Sequence, residues 1–183
     1  TVTFTRRGNR DVILDFRGRR LGAVEVNGQW IDRPAFNGAH LRLPARALNG
    51  GRNSVSVAFI ADVAAAGASI IRSIDRTDGH EYLYTLLVPA DANQLFPCFD
   101  QPDLKARVTL ALRARPSWTI VANGPLARTD TATDALTHHF AETRPLSTYL
   151  VAFAAGPWHR VSSTVQGRTV NVFVRASRAR EAD

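Results

Sequence analysis

Apolar and polar residues alternate along most of this chain. Val2 and Phe4 alternate with threonines, and Leu41 and Leu43 flank Arg42. An alternation with a period of two places the apolar side chains on one face of a β-strand. The same pattern predicts strands at residues 11–16, 21–26, 55–59, 82–87, 107–112, 119–122, 136–140, 149–154 and 169–174.

Turn signals separate these segments at short intervals. Asn27-Gly28 predicts a hairpin, because this pair tolerates positive φ better than most others. Similar signals lie at Asp78-Gly79, Asn123-Gly124 and Gln166-Gly167. Many short strands joined by tight turns predict a mainly β fold, an antiparallel sandwich or barrel with little helix.

Helix is predicted at two places only, Ala61–Ala68 and Ala90–Gln94, and there for a turn or two at most. A length of 183 residues suits one domain with a sizeable core. We therefore expect a β-domain over residues 1–175, followed at residues 176–183 by a polar linker or the start of a helix.

The chain carries a net charge of +7, and Lys105 is the sole lysine among its 23 basic residues. Arginine suits phosphate groups, so a polyanion-binding surface is one interpretation. The arginines are scattered, however, and do not interleave with aromatic residues as in base-stacking surfaces. A GC-rich coding sequence explains the arginine and alanine content, and we expect no nucleic-acid partner. Because no apolar run approaches ~18 residues, we expect no membrane partner.

Cys98 is the only cysteine, which excludes an internal disulfide and a cysteine-based zinc site. It lies in the apolar run 96–99, which favours a buried structural thiol over a nucleophile. The cysteine content leaves the cellular compartment open, and we lean toward the cytoplasm.

Motifs of catalysis are missing from the sequence: it contains no H-E-x-x-H, no G-x-S-x-G and no P-loop. His138 and His139 form the only histidine cluster. Adjacent residues of a strand face opposite ways, so we interpret both as histidines of a strand surface and not as ligands of one metal. We predict no catalytic residue and no metal ligand in this chain.

Four segments carry more specific information than composition does. Residues 75–85 read D-R-T-D-G-H-E-Y-L-Y-T and residues 96–106 read F-P-C-F-D-Q-P-D-L-K-A. Residues 118–124 read W-T-I-V-A-N-G and residues 147–153 read S-T-Y-L-V-A-F. In this order they resemble the N-terminal domain of zinc aminopeptidases of the aminopeptidase N family.

The resemblance implies a saddle-like, mainly antiparallel β-domain that packs on a thermolysin-like catalytic domain. Zinc, the H-E-x-x-H helix and the other catalytic groups would belong to that second domain. This chain would then shape and cover the substrate entrance without being catalytic alone. Its expected partners are the catalytic domain of the same polypeptide and a peptide substrate.

The resemblance also implies a substrate contact. After Y-L-Y-T, typical members read Q-F-E-P, in which the Gln lines the pocket for the first side chain and the Glu binds the free α-amine. This chain instead has Leu86, Leu87, Val88 and Pro89. Leu86, Val88 and Pro89 are thus the candidate substrate-binding residues, although Leu86 and Val88 cannot accept a hydrogen bond from an ammonium. The alternative is that this face is packed core.

Two further expectations follow from the resemblance. The Val88–Pro89 bond is a candidate cis peptide, because a cis bond is cheap only before proline. A face built for docking would leave an apolar patch near residues 86–99, and the chain would self-associate through it or through a bare edge strand. A stand-alone β-sandwich that binds a protein or carbohydrate partner is the alternative function.

Overall fold

The alternating residues of the N-terminal third form two sheets that face each other. The structure, a computed structural model, describes residues 1–182. The first sheet contains four strands in the order β1 (Val2–Arg6), β7 (Gly51–Ile60), β3 (Arg20–Val26) and β4 (Gln29–Trp30). The second contains three, in the order β2 (Val12–Asp15), β6 (His40–Leu43) and β5 (Ala35–Phe36).

The apolar faces of these two sheets enclose the first core. Full burial of an aliphatic side chain contributes about 1.5–3 kcal/mol, so this cluster is a large part of the driving force for folding. Asn27 and Gly28 both have positive φ and join β3 to β4, which confirms the predicted hairpin. The buried members of the core are Leu14, Val24, Val26, Leu41, Leu43, Leu48 and Val55.

A second pair of sheets follows along the chain. Its core contains Ile120, Phe140 and Ala155, one from each of three strands. The five-stranded sheet has the order β12 (Thr119–Ala122), β15 (Phe153–Gly156), β10 (Glu81–Thr85), β9 (Ile70–Ile74) and β8 (Val63–Ala64). The three-stranded sheet has the order β11 (Leu110–Ala114), β14 (Leu136–Phe140) and β13 (Leu126–Thr131).

The C-terminal residues form a two-stranded ribbon. β16 (Trp158–Val165) pairs antiparallel with β17 (Arg168–Arg175), and a 3-10 helix at Ala176–Glu181 follows. The short helix α1 (Ala92–Leu95) lies between β10 and β11 in the chain. Short 3-10 turns occur at Ala45–Ala47 and Thr148–Leu150.

The predicted mainly β, antiparallel sandwich with little helix is confirmed. Helix α1 confirms the predicted turn of helix at 90–94, but the helix predicted at 61–68 is wrong. Two of those residues form β8, which pairs in parallel with β9, and Gly67 has a φ of +75° that an α-helix does not accommodate. The strand predicted at 149–154 begins only at Phe153, because the preceding residues form a 3-10 turn.

The structure bears on the two surfaces expected to self-associate, a bare edge strand and an apolar patch near residues 86–99. β1 is an edge strand of its sheet, so self-association through it stays a prediction. In the stretch 86–99 Leu86 and Val88 are exposed while Leu87 and Cys98 are buried, and self-association through this stretch stays a prediction. Within residues 1–182, no helix has the length and apolar character needed to cross a bilayer.

Candidate functional site

The candidate substrate-binding residues lie in the loop that leaves the C-terminal end of β10. The amide of Leu86 donates to the carbonyl of Ser69 at 2.9 Å, which ends the pairing of β10 with β9. Leu87 is 2% exposed and packs with Ala92, Cys98 and Val151. In contrast, Leu86 is 54% and Val88 59% exposed. The alternative that Leu86 and Val88 belong to the packed core is therefore wrong.

The backbone of this loop bends sharply after Leu87. The Val88–Pro89 peptide bond is cis, as predicted, and Pro89 is exposed. The carbonyl of Leu87 accepts a hydrogen bond from the amide of Asp91 at 3.0 Å. Leu86, Val88 and Pro89 thus present their side chains to solvent from a loop that is anchored by one buried leucine.

A buried polar network holds the far side of the loop. Asn93 is 7% exposed, and its side-chain amide donates to the carbonyl of Ala90 at 3.0 Å and to Asp100 Oδ2 at 2.6 Å. The other oxygen of Asp100 accepts a hydrogen bond from Thr148 Oγ1 at 2.7 Å. The F-P-C-F-D and S-T-Y segments therefore meet at one carboxylate, and through Asn93 that carboxylate positions Ala90.

Sequence reasoning did not assign this role to Asn93, Asp100 or Thr148. Asp100 and Thr148 lie within segments that carry the family resemblance, so those motifs could have marked both residues as candidates for a structural contact. Asn93 lies outside those segments. Arg17 Nε, which donates to Asn93 Oδ1 at 2.6 Å, lies 76 positions away in the chain, and no local pattern indicates that contact.

Cys98 is a structural residue, as predicted. It is 5% exposed, and its backbone pairs with Asp15 in an isolated antiparallel bridge. Burial raises the pKa of the Cys98 thiol far above its ordinary value, and the negative charges of Asp100 and Asp15 raise it further. A raised pKa disfavours the thiolate that a nucleophile requires, which agrees with a structural role for this buried side chain.

The paired histidines point to opposite faces of β14. His138 is 9% exposed, and on the same side of the strand Phe140 enters the core. His139 Nε2 lies 2.8 Å from Asp130 Oδ2. The interpretation of both as surface residues is therefore wrong for His138, because β14 is the central strand of its sheet and its inner face packs against the five-stranded sheet.

Groups suited to zinc do not converge in the part of the chain that the structure describes. Among residues 1–182 no cluster of three or more His, Cys, Asp or Glu side chains has the geometry to hold a metal ion. The donor set of these residues therefore does not fit a zinc site.

Residues 20–150 match the model of the Peptidase M1 N-terminal domain, and the chain belongs to that family. This family assignment confirms the resemblance drawn from the four sequence segments.

Individual relatives agree with the family. Aminopeptidase N of Streptomyces lividans is 31% identical over 181 residues, which are 96% of this chain and 20% of that protein. Endoplasmic reticulum aminopeptidase 1 of Homo sapiens is 36% identical over 101 residues, 54% of this chain and 11% of that protein. Glutamyl aminopeptidase of Sus scrofa is 32% identical over 115 residues, 62% of this chain and 11% of that protein. The chain thus spans a fifth or less of the length of these relatives.

Proposed function

We propose that this chain is the N-terminal accessory domain of a zinc metallo-aminopeptidase that removes N-terminal residues from peptides. The domain shapes and covers the substrate entrance, and the zinc and catalytic groups reside in a catalytic domain of the same polypeptide. The observation that carries the proposal is the match of residues 20–150 to the Peptidase M1 N-terminal domain, joined to relatives that are named as aminopeptidases.

Leu86, Val88 and Pro89 are the proposed contacts with the first residues of the peptide. Support comes from the exposure of Leu86 and Val88, which no packing requirement of the domain explains. Apolar side chains cannot accept a hydrogen bond from the substrate ammonium, so amine recognition falls to the catalytic domain. The pocket for the first side chain should correspondingly favour apolar residues.

The test uses the longer aminopeptidase and two substitutions, Val88→Glu and Leu86→Gln. A carboxylate at position 88 gains a charged hydrogen bond to the peptide amine, so the Michaelis constant should fall by up to about tenfold, which corresponds to about 1.4 kcal/mol. Leu86→Gln should shift the preference toward polar first residues.

Val165→Glu is the matched control, because Val165 is 54% exposed and lies at the end of β16, in a different sheet from β10. It should leave the Michaelis constant unchanged. Unaltered constants and preferences in both loop variants would show that the loop does not contact substrate. Chelator-sensitive aminopeptidase turnover by the purified 183-residue chain would contradict the proposal that the zinc and the catalytic groups lie in another domain.

A further inference from the structure

The D-x-x-D-G-x-x-Y segment forms a tight turn between β9 and β10. The amide of Asp75 donates to the carbonyl of His80, and the amide of Gly79 donates to the carbonyl of Asp75, both at 2.8 Å. Asp75 Oδ1 accepts the amide of Thr77 at 2.8 Å. One carboxylate oxygen of Asp75 therefore organises the turn, and the other remains for a different partner.

That partner is the segment after β17. Asp75 is 6% exposed, and its Oδ2 accepts a hydrogen bond from Ser177 Oγ at 2.7 Å. Arg175 lies 3.8 Å from the same oxygen and also donates to Ser73 Oγ at 3.0 Å. A buried carboxylate is stable only with such partners, so the turn and the distant segment depend on each other.

Tyr82, the last residue of the motif, binds the same segment. It is completely buried, and its hydroxyl accepts a hydrogen bond from the amide of Ala176 at 2.9 Å. Its ring packs against Trp158 with centroids 4.6 Å apart and lies beneath the guanidinium of Arg175 at 5.7 Å. At Gly156 a Cβ would lie only 2.6 Å from the Tyr82 ring, so glycine leaves the space that this ring occupies.

We propose that the D-x-x-D-G-x-x-Y turn is a clamp that binds residues 175–177 and fixes the direction in which the polypeptide leaves β17. Two main contacts form the clamp, Ser177 Oγ with Asp75 and the Ala176 amide with Tyr82. The clamp itself does not depend on the proposed function. One consequence does: in an aminopeptidase, the clamp would orient the polypeptide that follows relative to Leu86 and Val88.

The test removes each contact singly in the 183-residue chain. Tyr82→Phe keeps the ring and removes the acceptor for the Ala176 amide, and Ser177→Ala removes the donor to Asp75. In both variants amide hydrogen exchange at Ala176 should accelerate by about fivefold to tenfold, the range expected for one hydrogen bond. Trypsin cleavage after Arg178 should accelerate similarly, because it tracks the opened population.

Controls separate a clamp from general loosening. Tyr84→Phe and Ser163→Ala make the same chemical changes at exposed positions and should leave both rates at the wild-type value. Ser177→Thr restores a hydroxyl and should return exchange toward the wild-type rate. The proposal would be overturned if exchange at Ala176 and cleavage after Arg178 kept their wild-type rates in both Tyr82→Phe and Ser177→Ala, with exchange at Val55 unchanged. The pairing of β16 with β17 would then hold residues 175–177 without the clamp. This outcome leaves peptide kinetics at positions 86 and 88 untouched, so the two proposals fail separately.

Discussion

The two ends of β10 differ in what surrounds their side chains. At its N-terminal end, Asp75 and Tyr82 are buried, and their polar atoms are bonded within the chain. At its C-terminal end, Leu86 and Val88 are apolar and more than half exposed. One strand thus connects a turn whose buried polar groups are hydrogen-bonded within the chain with a loop whose apolar side chains Leu86 and Val88 face solvent.

This difference separates a structural role from the recognition role that we propose. A buried carboxylate or hydroxyl is costly unless it is hydrogen-bonded, so the contacts of Asp75 and Tyr82 follow from the requirements of folding. Exposed apolar side chains add little to the stability of the domain, and the folding of the chain does not explain Leu86 and Val88. The N-terminal end of β10 should therefore be sensitive to substitution in stability, and the C-terminal end in function.

The largest effect is expected for Tyr82→Ala. Removal of a fully buried aromatic ring leaves a cavity beside Trp158, and such truncations cost about 3–5 kcal/mol of unfolding free energy. Urea unfolding followed by tryptophan fluorescence measures this loss. A loss under about 1 kcal/mol would mean that the ring is less essential than its burial indicates.

A smaller effect, but the sharpest contrast, is expected within the loop. Leu87→Ala should cost about 2–4 kcal/mol because Leu87 packs with Ala92 and Cys98. Leu86→Ala and Val88→Ala should change stability by no more than about 0.5 kcal/mol, since both side chains are exposed. Equal losses of unfolding free energy at all three positions in urea titrations would contradict the distinction between the buried anchor and the proposed recognition residues.

The smallest effect concerns acid stability. The hydrogen bond from Ser177 is the largest influence that lowers the pKa of Asp75, followed by that from the Thr77 amide. A carboxyl with a lowered folded-state pKa stabilises the fold above its unfolded pKa of about 3.9 and loses this contribution as pH falls through the folded value. Ser177→Ala should therefore move the acid-unfolding midpoint to higher pH, as circular dichroism would detect. A midpoint that stays in place, or moves to lower pH, would show that the hydrogen bond from Ser177 does not stabilise the ionised form of Asp75.

The sequence predicted the features that are local in the chain. Period-two alternation identified many of the strands, although it did not predict β9, β13 or β16. The φ-tolerant pair Asn27-Gly28 identified a hairpin. The motifs around Asp75 and Cys98 identified the family and, through it, the cis Val88–Pro89 bond and the loop of Leu86. The helix expected at 61–68 failed, because pairing of β8 with β9 outweighs the helix propensity of alanine.

What only the tertiary structure decided is which distant groups meet. Whether Leu86 and Val88 were core or surface depended on neighbours, and a strand presents alternate residues to either environment with the same pattern. His138 became buried because its face of β14, which it shares with Phe140, packs on a core, and no local pattern reveals this. The contact between Asp75 and Ser177 spans 102 positions and the contact of Asp100 with Thr148 spans 48. Such contacts depend on how the sheets pack. The sequence by itself therefore determined most strands, the Asn27-Gly28 hairpin and the family, and packing determined which distant groups meet.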